Sequence, residues 1–167
     1  NSSASGYYIY RTTDGTTFTK IATVTGGTTT SYTDTTAATN GQQYMYKVKA
    51  YKTVDGTTYT GAYSPVKVHY FLTRPAISSV TNVAGLKLTV KWARNTAATG
   101  YQISYTTDES FKTTTRVDVT SPTAVTKTIS SLTKGQTYYV KMRTYKVVSG
   151  VTYYSAWSTI KSVAITK

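Results

Sequence analysis

The sequence predicts an all-β chain made of two copies of one two-sheet sandwich, the first copy lacking its first two strands. Three observations carry this. Thr, Tyr and Val dominate the composition, with 17 tyrosines and 39% hydrophobic residues overall. These residues favour pleated, half-buried surfaces. Short runs alternate apolar and polar residues with period two, and no run holds helical spacing over three turns. Finally, the two halves match each other at a constant offset.

The offset is 94 residues. Gly6-Tyr7-Tyr8-Ile9 matches Gly100-Tyr101-Gln102-Ile103, and Gly41-Gln42-Gln43-Tyr44 matches Gly135-Gln136-Thr137-Tyr138. Tyr51-Lys52, Gly56 and Ser64 match Tyr145-Lys146, Gly150 and Ser158 at the same spacing. A repeat this regular indicates duplication without a net gap. Asn1 then aligns with Asn95, so residues 75–94 have no counterpart in the first copy. That piece includes Leu86-Lys87-Leu88-Thr89-Val90-Lys91-Trp92, an alternating run that reads as a half-buried strand. The expected units are 1–71, truncated, and 72–167, complete.

In the second copy the expected strands are 76–82, 86–93, 100–106, 115–120, 124–130, 136–147 and a broken 152–166. Turn-forming residues separate them, as at Asn82–Gly85, Ser121-Pro122 and Ser149-Gly150. Seven short strands so punctuated suggest a two-sheet sandwich. The first copy supplies matching strands at 6–12, 17–24, 29–34, 42–53 and 57–70, with Asp14-Gly15 and Asp55-Gly56 as hairpin turns. The junction, Phe71-Leu72-Thr73-Arg74-Pro75, is short, and Pro75 holds Arg74 extended. Two units end to end, as a semi-rigid rod with Phe71 and Leu72 packed at the junction, are expected from it.

These residues together resemble tandem fibronectin type III (Ig-like) domains. Trp92 sits where that family places a core tryptophan, Gly100–Ile103 resembles its third strand, and Leu132-Thr133-Lys134-Gly135-Gln136-Thr137-Tyr138 its turn into the sixth, with Tyr138 as the tyrosine corner. Ala156-Trp157-Ser158 resembles the start of its last strand. The first copy carries Tyr44 and Ala62-Tyr63-Ser64 at matching places, with Ala38 for the leucine. Lys134 departs from the family's usual proline. The Tyr-, Thr- and Lys-rich style is similar to copies in surface or secreted proteins of clostridia-like bacteria. The resemblance therefore implies an extracellular or cell-surface location. No Arg-Gly-Asp triplet is present, so integrin binding by that route is not implied.

Alternation also assigns faces. Tyr138, Val140 and Met142 should point inward, and Tyr139, Lys141, Arg143 and Tyr145 outward. In the first copy the inner set is Tyr7, Ile9, Tyr44, Tyr46, Val48 and Ala50. Its outer set includes Tyr8, Tyr10, Lys47, Lys49 and Tyr51, and these five form the candidate binding surface. An open face of tyrosines and lysines could stack sugars or contact anionic polymers. The same cross-strand pairs also stabilise a sheet by about 0.2–1 kcal/mol each, with lysine stems covering rings.

Formal charge is +13, from 19 basic and 6 acidic residues, so non-specific association with polyanions is expected, the alternative being a solvated basic surface that only confers solubility. The basic residues form no run of five or six, so specific nucleic-acid binding is not expected. No stretch suits a bilayer span. No cysteine is present, which excludes disulfides. No signal peptide opens the chain, as in a mature product, an excised fragment or an engineered chain.

Catalysis is not expected, nor a cofactor or metal. His69 is the only histidine, so neither a Ser-His-Asp triad nor a histidine cluster for zinc can form. Asp14, Asp55 and Asp108-Glu109 belong to turns, and a narrow sandwich offers no cleft where paired carboxylates converge. The leading expectation is a structural and adhesive module that spaces other domains and meets cell-wall or host polymers, polyanions or proteins. A carbohydrate-binding accessory module beside a glycoside hydrolase, or a fibre subunit completed by a neighbour's strands, are the alternatives. Loss of two strands should bare the inner face around Tyr7, Ile9, Tyr46 and Val48. The chain then reads as a window on a longer repeat array, with an isolated first copy poorly stable for want of burial at about 25 cal/mol per Å².

Overall fold

The computed structural model describes residues 3–167, which divide into two compact units between Phe71 and Leu72. All regular structure is antiparallel β.

Unit 2 is a sandwich of two antiparallel sheets. Strands β6 (Ile77–Val83), β7 (Lys87–Trp92) and β10 (Thr126–Ile129) form one sheet in the order β10-β7-β6. Strands β8 (Gly100–Thr106), β9 (Thr115–Val119), β11 (Thr137–Val148), β12 (Val151–Tyr154) and β13 (Lys161–Ala164) form the other. Its order is β12-β11-β8-β9, with β13 also on β11. Alternation decides what lies between the sheets. Leu88, Val90 and Trp92 of β7 meet Tyr101 and Ile103 of β8 and Val140 and Met142 of β11. All are at most 3% exposed. Trp92 packs tilted against Tyr101 at 5.2 Å, and its indole Nε1 is buried without a hydrogen-bond partner.

Unit 1 repeats the second of these sheets. Strands β1 (Gly6–Thr12), β2 (Thr19–Thr25), β3 (Gln43–Val54), β4 (Thr57–Thr60) and β5 (Lys67–Tyr70) run in the order β2-β1-β3-β4, with β5 also on β3. The bounds of β1, β3, β4 and β5 are those of β8, β11, β12 and β13 shifted by 94 residues. Smaller devices keep the same spacing. The Tyr44 and Tyr138 hydroxyls accept from the amides of Thr39 and Thr133, at 3.3 and 3.1 Å, so each unit has its tyrosine corner. The Val48 and Met142 amides donate to the Ser64 and Ser158 hydroxyls at 3.0 and 3.1 Å. Asp55-Gly56 and Ser149-Gly150 turn their hairpins with positive φ at both residues, 49° and 78° in each.

Three expectations need correction. Asp14-Gly15 is not a two-residue hairpin turn. It lies in the longer connection of residues 13–18, where Asp14 Oδ1 accepts from the amides of Thr16 and Thr17 at 2.8 and 3.0 Å. Strand β2 breaks the even repeat, because an irregularity at Ile9/Tyr10 shifts its register on β1 and the β8–β9 pairing has none. Residues 29–34 form no strand. Their counterpart in unit 2 leads into β10, which exists by pairing with β7 from Thr126↔Lys91 to Ile129↔Leu88. Among the described residues of unit 1 no strand lies where β7 would, so the segment has nothing to bond to. Unit 1 is therefore half a sandwich, one sheet with one inner face.

Glycine is required where β8 crosses β11. A Cβ on Gly100 would meet the Val119 carbonyl and the Tyr145 hydroxyl, because the Tyr145 ring lies across the glycine. Gly6 and Tyr51 repeat this, with ring atoms 2.8 Å from the position a Cβ would take. Gly100→Ala should therefore lower the denaturation midpoint of unit 2, and Met142→Ala should cost about 2–5 kcal/mol. Both tryptophans, Trp92 and Trp157, lie in unit 2, so tryptophan fluorescence during urea unfolding reads that unit alone.

Candidate functional site

The outer face of the unit 1 sheet is set by register. Tyr8 pairs with Lys49, Tyr10 with Lys47 and Gly6 with Tyr51 across β1 and β3. Period-two alternation therefore brings all five predicted residues, Tyr8, Tyr10, Lys47, Lys49 and Tyr51, to one face. Each is half-buried rather than open. The Tyr8 and Tyr51 rings stack at 4.5 Å, 14° from parallel. Lys20 of β2 sits over the Tyr8 ring at 4.5 Å. Since β1 lies between β2 and β3, Tyr8 is approached from one side by the ammonium and from the other by Tyr51.

A second set of contacts continues along the face. Lys47 lies 4.1 Å from both the Phe18 and the Tyr63 ring centres. Lys49 lies 4.9 Å from Tyr63 and 5.7 Å from Tyr10, and Tyr10 meets Tyr63 edge-on at 5.1 Å. Cations and rings thus alternate as Phe18, Lys47, Tyr63, Lys49, Tyr10. Each such contact is worth about 0.5–1 kcal/mol at an exposed site. Among the described residues, none of Lys20, Lys47 and Lys49 has a carboxylate at ion-pair distance. The Tyr63 phenol is drawn below its ordinary value by the Tyr10 hydroxyl first and by Lys49 and Lys47 after it.

Lys20, Phe18 and Tyr63 were missed in the sequence. Both fall within expected strands, 17–24 and 57–70, but Phe18 precedes β2 and Tyr63 lies in the irregular stretch that separates β4 from β5, so alternation along those segments does not give their faces. The signal available for Tyr63 was its offset partner Trp157. In unit 2, Trp157 performs the same task, taking Lys141 at 5.3 Å and Arg143 at 4.5 Å. Arg143 also lies 3.6 Å from Tyr154, and Lys141 3.9 Å from Phe111. The Arg143 guanidinium donates to Gln102 Oε1 at 2.7 and 3.0 Å, and Gln102 Nε2 donates to Asp118 at 2.9 Å. Burial pulls Arg143 below its ordinary value, and Tyr154 opposes that shift.

The inner face of unit 1 is a groove of about 730 Å³, lined by Tyr7, Ile9, Tyr46, Val48 and Phe71 among others. Phe71, expected at the junction, belongs here, its amide bonded to Gln42 O at 3.0 Å. One edge of the groove carries a polar latch. Arg11 donates to Asp34 Oδ2 at 2.8 Å and to Thr36 Oγ1 at 2.7 Å, and the Tyr46 hydroxyl donates to Asp34 Oδ2 at 2.9 Å. Burial works to raise the Asp34 carboxyl, but Thr36 and Arg11 bring it down to about 2. Burial and Asp34 together push the Tyr46 phenol up to about 12.

Of the remaining acids, Asp55 stands in its hairpin turn and three others have structural partners. Asp14 and Asp108 accept from amides of their own turns, and Glu109 accepts from the Tyr139 hydroxyl at 3.4 Å. Among the described residues no group of three His, Cys, Asp or Glu side chains could hold a metal. His69 on β5 has its imidazole lowered by burial alone.

No protein-family model and no curated protein matches the chain. Among solved structures, the crystal structure of chicken CNTN1 FN1-FN3 domains is similar over 97% of this chain, with 22% identity and a TM-score of 0.48. The match covers 54% of that structure, so the chain spans about half its length. A structure described as a myokine structure is similar over 57% of this chain and 98% of its own, with 13% identity and a TM-score of 0.47.

The latch predicts an acid-labile contribution to unit 1. A carboxylate depressed from 3.8 to about 2 stabilises the fold above pH 4, and that stability drains away as pH falls from about 4 toward 2. Asp34→Asn should lower the stability of unit 1 at pH 7, and the gap to the parent protein should close across that window. Urea titrations followed by tyrosine and backbone signals at several pH values check this.

Proposed function

We propose that the chain is a non-catalytic extracellular module, structural and adhesive, that spaces domains and contacts anionic cell-wall or host polymers through the lysine–aromatic face of unit 1. The observation that carries this is the alternation of Lys20, Lys47 and Lys49 with aromatic rings on an outer sheet face where no carboxylate pairs with them. The rings hold the ammoniums in fixed rows, and an anionic chain laid along the sheet would meet them in succession. The two units divide the task by charge. Residues 1–71 carry 6 basic and 3 acidic side chains, a net +3, and residues 72–167 carry 13 and 3, a net +10. Unit 2 then supplies long-range attraction, and unit 1 supplies an ordered row.

The same geometry disfavours the carbohydrate-binding accessory reading. A sugar ring needs a free aromatic face, and Tyr8 has Tyr51 on one side and Lys20 on the other. Binding should accordingly be salt-labile, since contacts between exposed charges are screened within about 8 Å at physiological ionic strength.

Retention on immobilised lipoteichoic acid and on dextran sulfate tests the reading. Replacing Lys20, Lys47 and Lys49 together by Gln should lower the eluting salt concentration more than replacing Lys87, Lys91 and Lys127, which changes net charge equally. Equal shifts would mean that only bulk charge matters. Salt-resistant capture of a neutral oligosaccharide on a glycan array would favour the accessory-module reading instead.

A further inference from the structure

The chain holds 17 tyrosines and no cysteine, so a covalent tie between its strands cannot be a disulfide. Two phenols can supply one, because each can lose an electron and a proton and the rings then join through carbons beside the hydroxyls. The outer face of unit 1 brings such a pair together at an exposed position. Tyr10 of β1 and Tyr63 of the irregular stretch 61–66 meet edge-on, with ring centres 5.1 Å apart. Tyr63 is 46% exposed, so an oxidant in solution reaches it, and no strand pairing fixes its backbone. The Tyr10 hydroxyl first, and Lys49 and Lys47 after it, favour the charged form of the Tyr63 phenol, so its proton leaves readily with the electron. Other tyrosine contacts lack this combination. Tyr8 and Tyr51 are half-buried, with Lys20 over Tyr8. Tyr145 is buried beside Tyr154, whose ring carries the Arg143 guanidinium at 3.6 Å. Tyr138 is buried beside Tyr105, and its hydroxyl accepts from the Thr133 amide. Unit 2 has Ser104 and Trp157 at the positions of Tyr10 and Tyr63, so the pair belongs to unit 1 alone.

We propose that Tyr10 and Tyr63 are an oxidative cross-linking site, joined as dityrosine by a haem peroxidase acting with hydrogen peroxide. Each phenol loses one electron and one proton. The two phenoxyl radicals couple at ring carbons ortho to oxygen, and a shift of the two ortho hydrogens to oxygen restores both phenols. Hydrogen peroxide takes up the two electrons and two protons and leaves as two waters. The product ties β1 to the stretch between β4 and β5 and closes a loop from residue 10 to residue 63. Such a link removes freedom from the unfolded chain, as a disulfide does. It also fixes the ring against which Lys47 and Lys49 lie, at 4.1 and 4.9 Å. The site stands on the outer face, and its chemistry does not depend on whether an anionic polymer binds there.

Treatment of the full chain with a haem peroxidase and limiting hydrogen peroxide is the test. Dityrosine fluorescence of the monomer band and mass mapping of linked peptides are the readouts. The expected product joins Tyr10 to Tyr63 within one chain, with the loss of two hydrogens. Tyr10→Phe and Tyr63→Phe each keep a ring in place, and each should lose most of the monomer product. Tyr59→Phe should retain it, although Tyr59 is more exposed, at 61%. The cross-linked monomer should unfold at higher urea by backbone signals from unit 1, while the tryptophan fluorescence of unit 2 keeps its midpoint. Product that follows exposure, with Tyr59→Phe losing as much as Tyr63→Phe, overturns the inference. So does a main link between Tyr8 and Tyr51, coupling chiefly between chains, absence of any monomer product, or an unchanged midpoint for unit 1.

Discussion

An antiparallel sheet built from alternating residues has one apolar face, and that face must be covered by something. Nearly every difference between the two units follows from how this is met. In unit 2 a three-stranded sheet lies over Tyr101, Ile103, Val140 and Met142 and reduces their exposure to zero. In unit 1 the same face carries a groove. The partial cover there comes from residues 29–34 and 37, held against the sheet by the Arg11–Asp34 pair. Where unit 2 has the fully buried Val140, unit 1 has Tyr46, whose hydroxyl reaches Asp34.

The outer faces meet a different need. Neither is covered by a second sheet, so long basic side chains lie over aromatic rings and shield them from water. The two units use the same positions with different residues. Lys47 and Lys49 with Tyr63 in unit 1 become Lys141 and Arg143 with Trp157 in unit 2. Arginine and tryptophan make the stronger pair, because a planar guanidinium stacks on the ring and still bonds Gln102 through its edge. Unit 1, with lysines, keeps compact ammonium charges that lie against rings without a carboxylate partner among the described residues.

The duplication was legible from the primary sequence because its cause is local. Gly6 and Gly100, Tyr44 and Tyr138, and Ser64 and Ser158 sit at close strand approaches and strand ends where few residues serve, so their spacing stands out as a pattern of letters. Four strands of unit 1 match unit 2 to the residue for that reason. The five face residues Tyr8, Tyr10, Lys47, Lys49 and Tyr51 were legible through period-two alternation within single strands. Alternation carries no information outside a strand. Phe18 and Tyr63, read into strands 17–24 and 57–70 that the chain does not form at those positions, therefore stayed hidden, although both rings lie against Lys47.

By itself the sequence determined the all-β class, the repeat and the side of each strand that faces inward, since these depend on residue type and spacing along one segment. Tertiary structure alone decided whether a segment became a strand at all. Residues 29–34 have the composition of a strand and form none, because a strand exists only through a neighbour's hydrogen bonds. It alone also decided that Tyr8 packs against both Tyr51 and Lys20. Register across three strands sets that distance, and register belongs to pairs of segments rather than to either one.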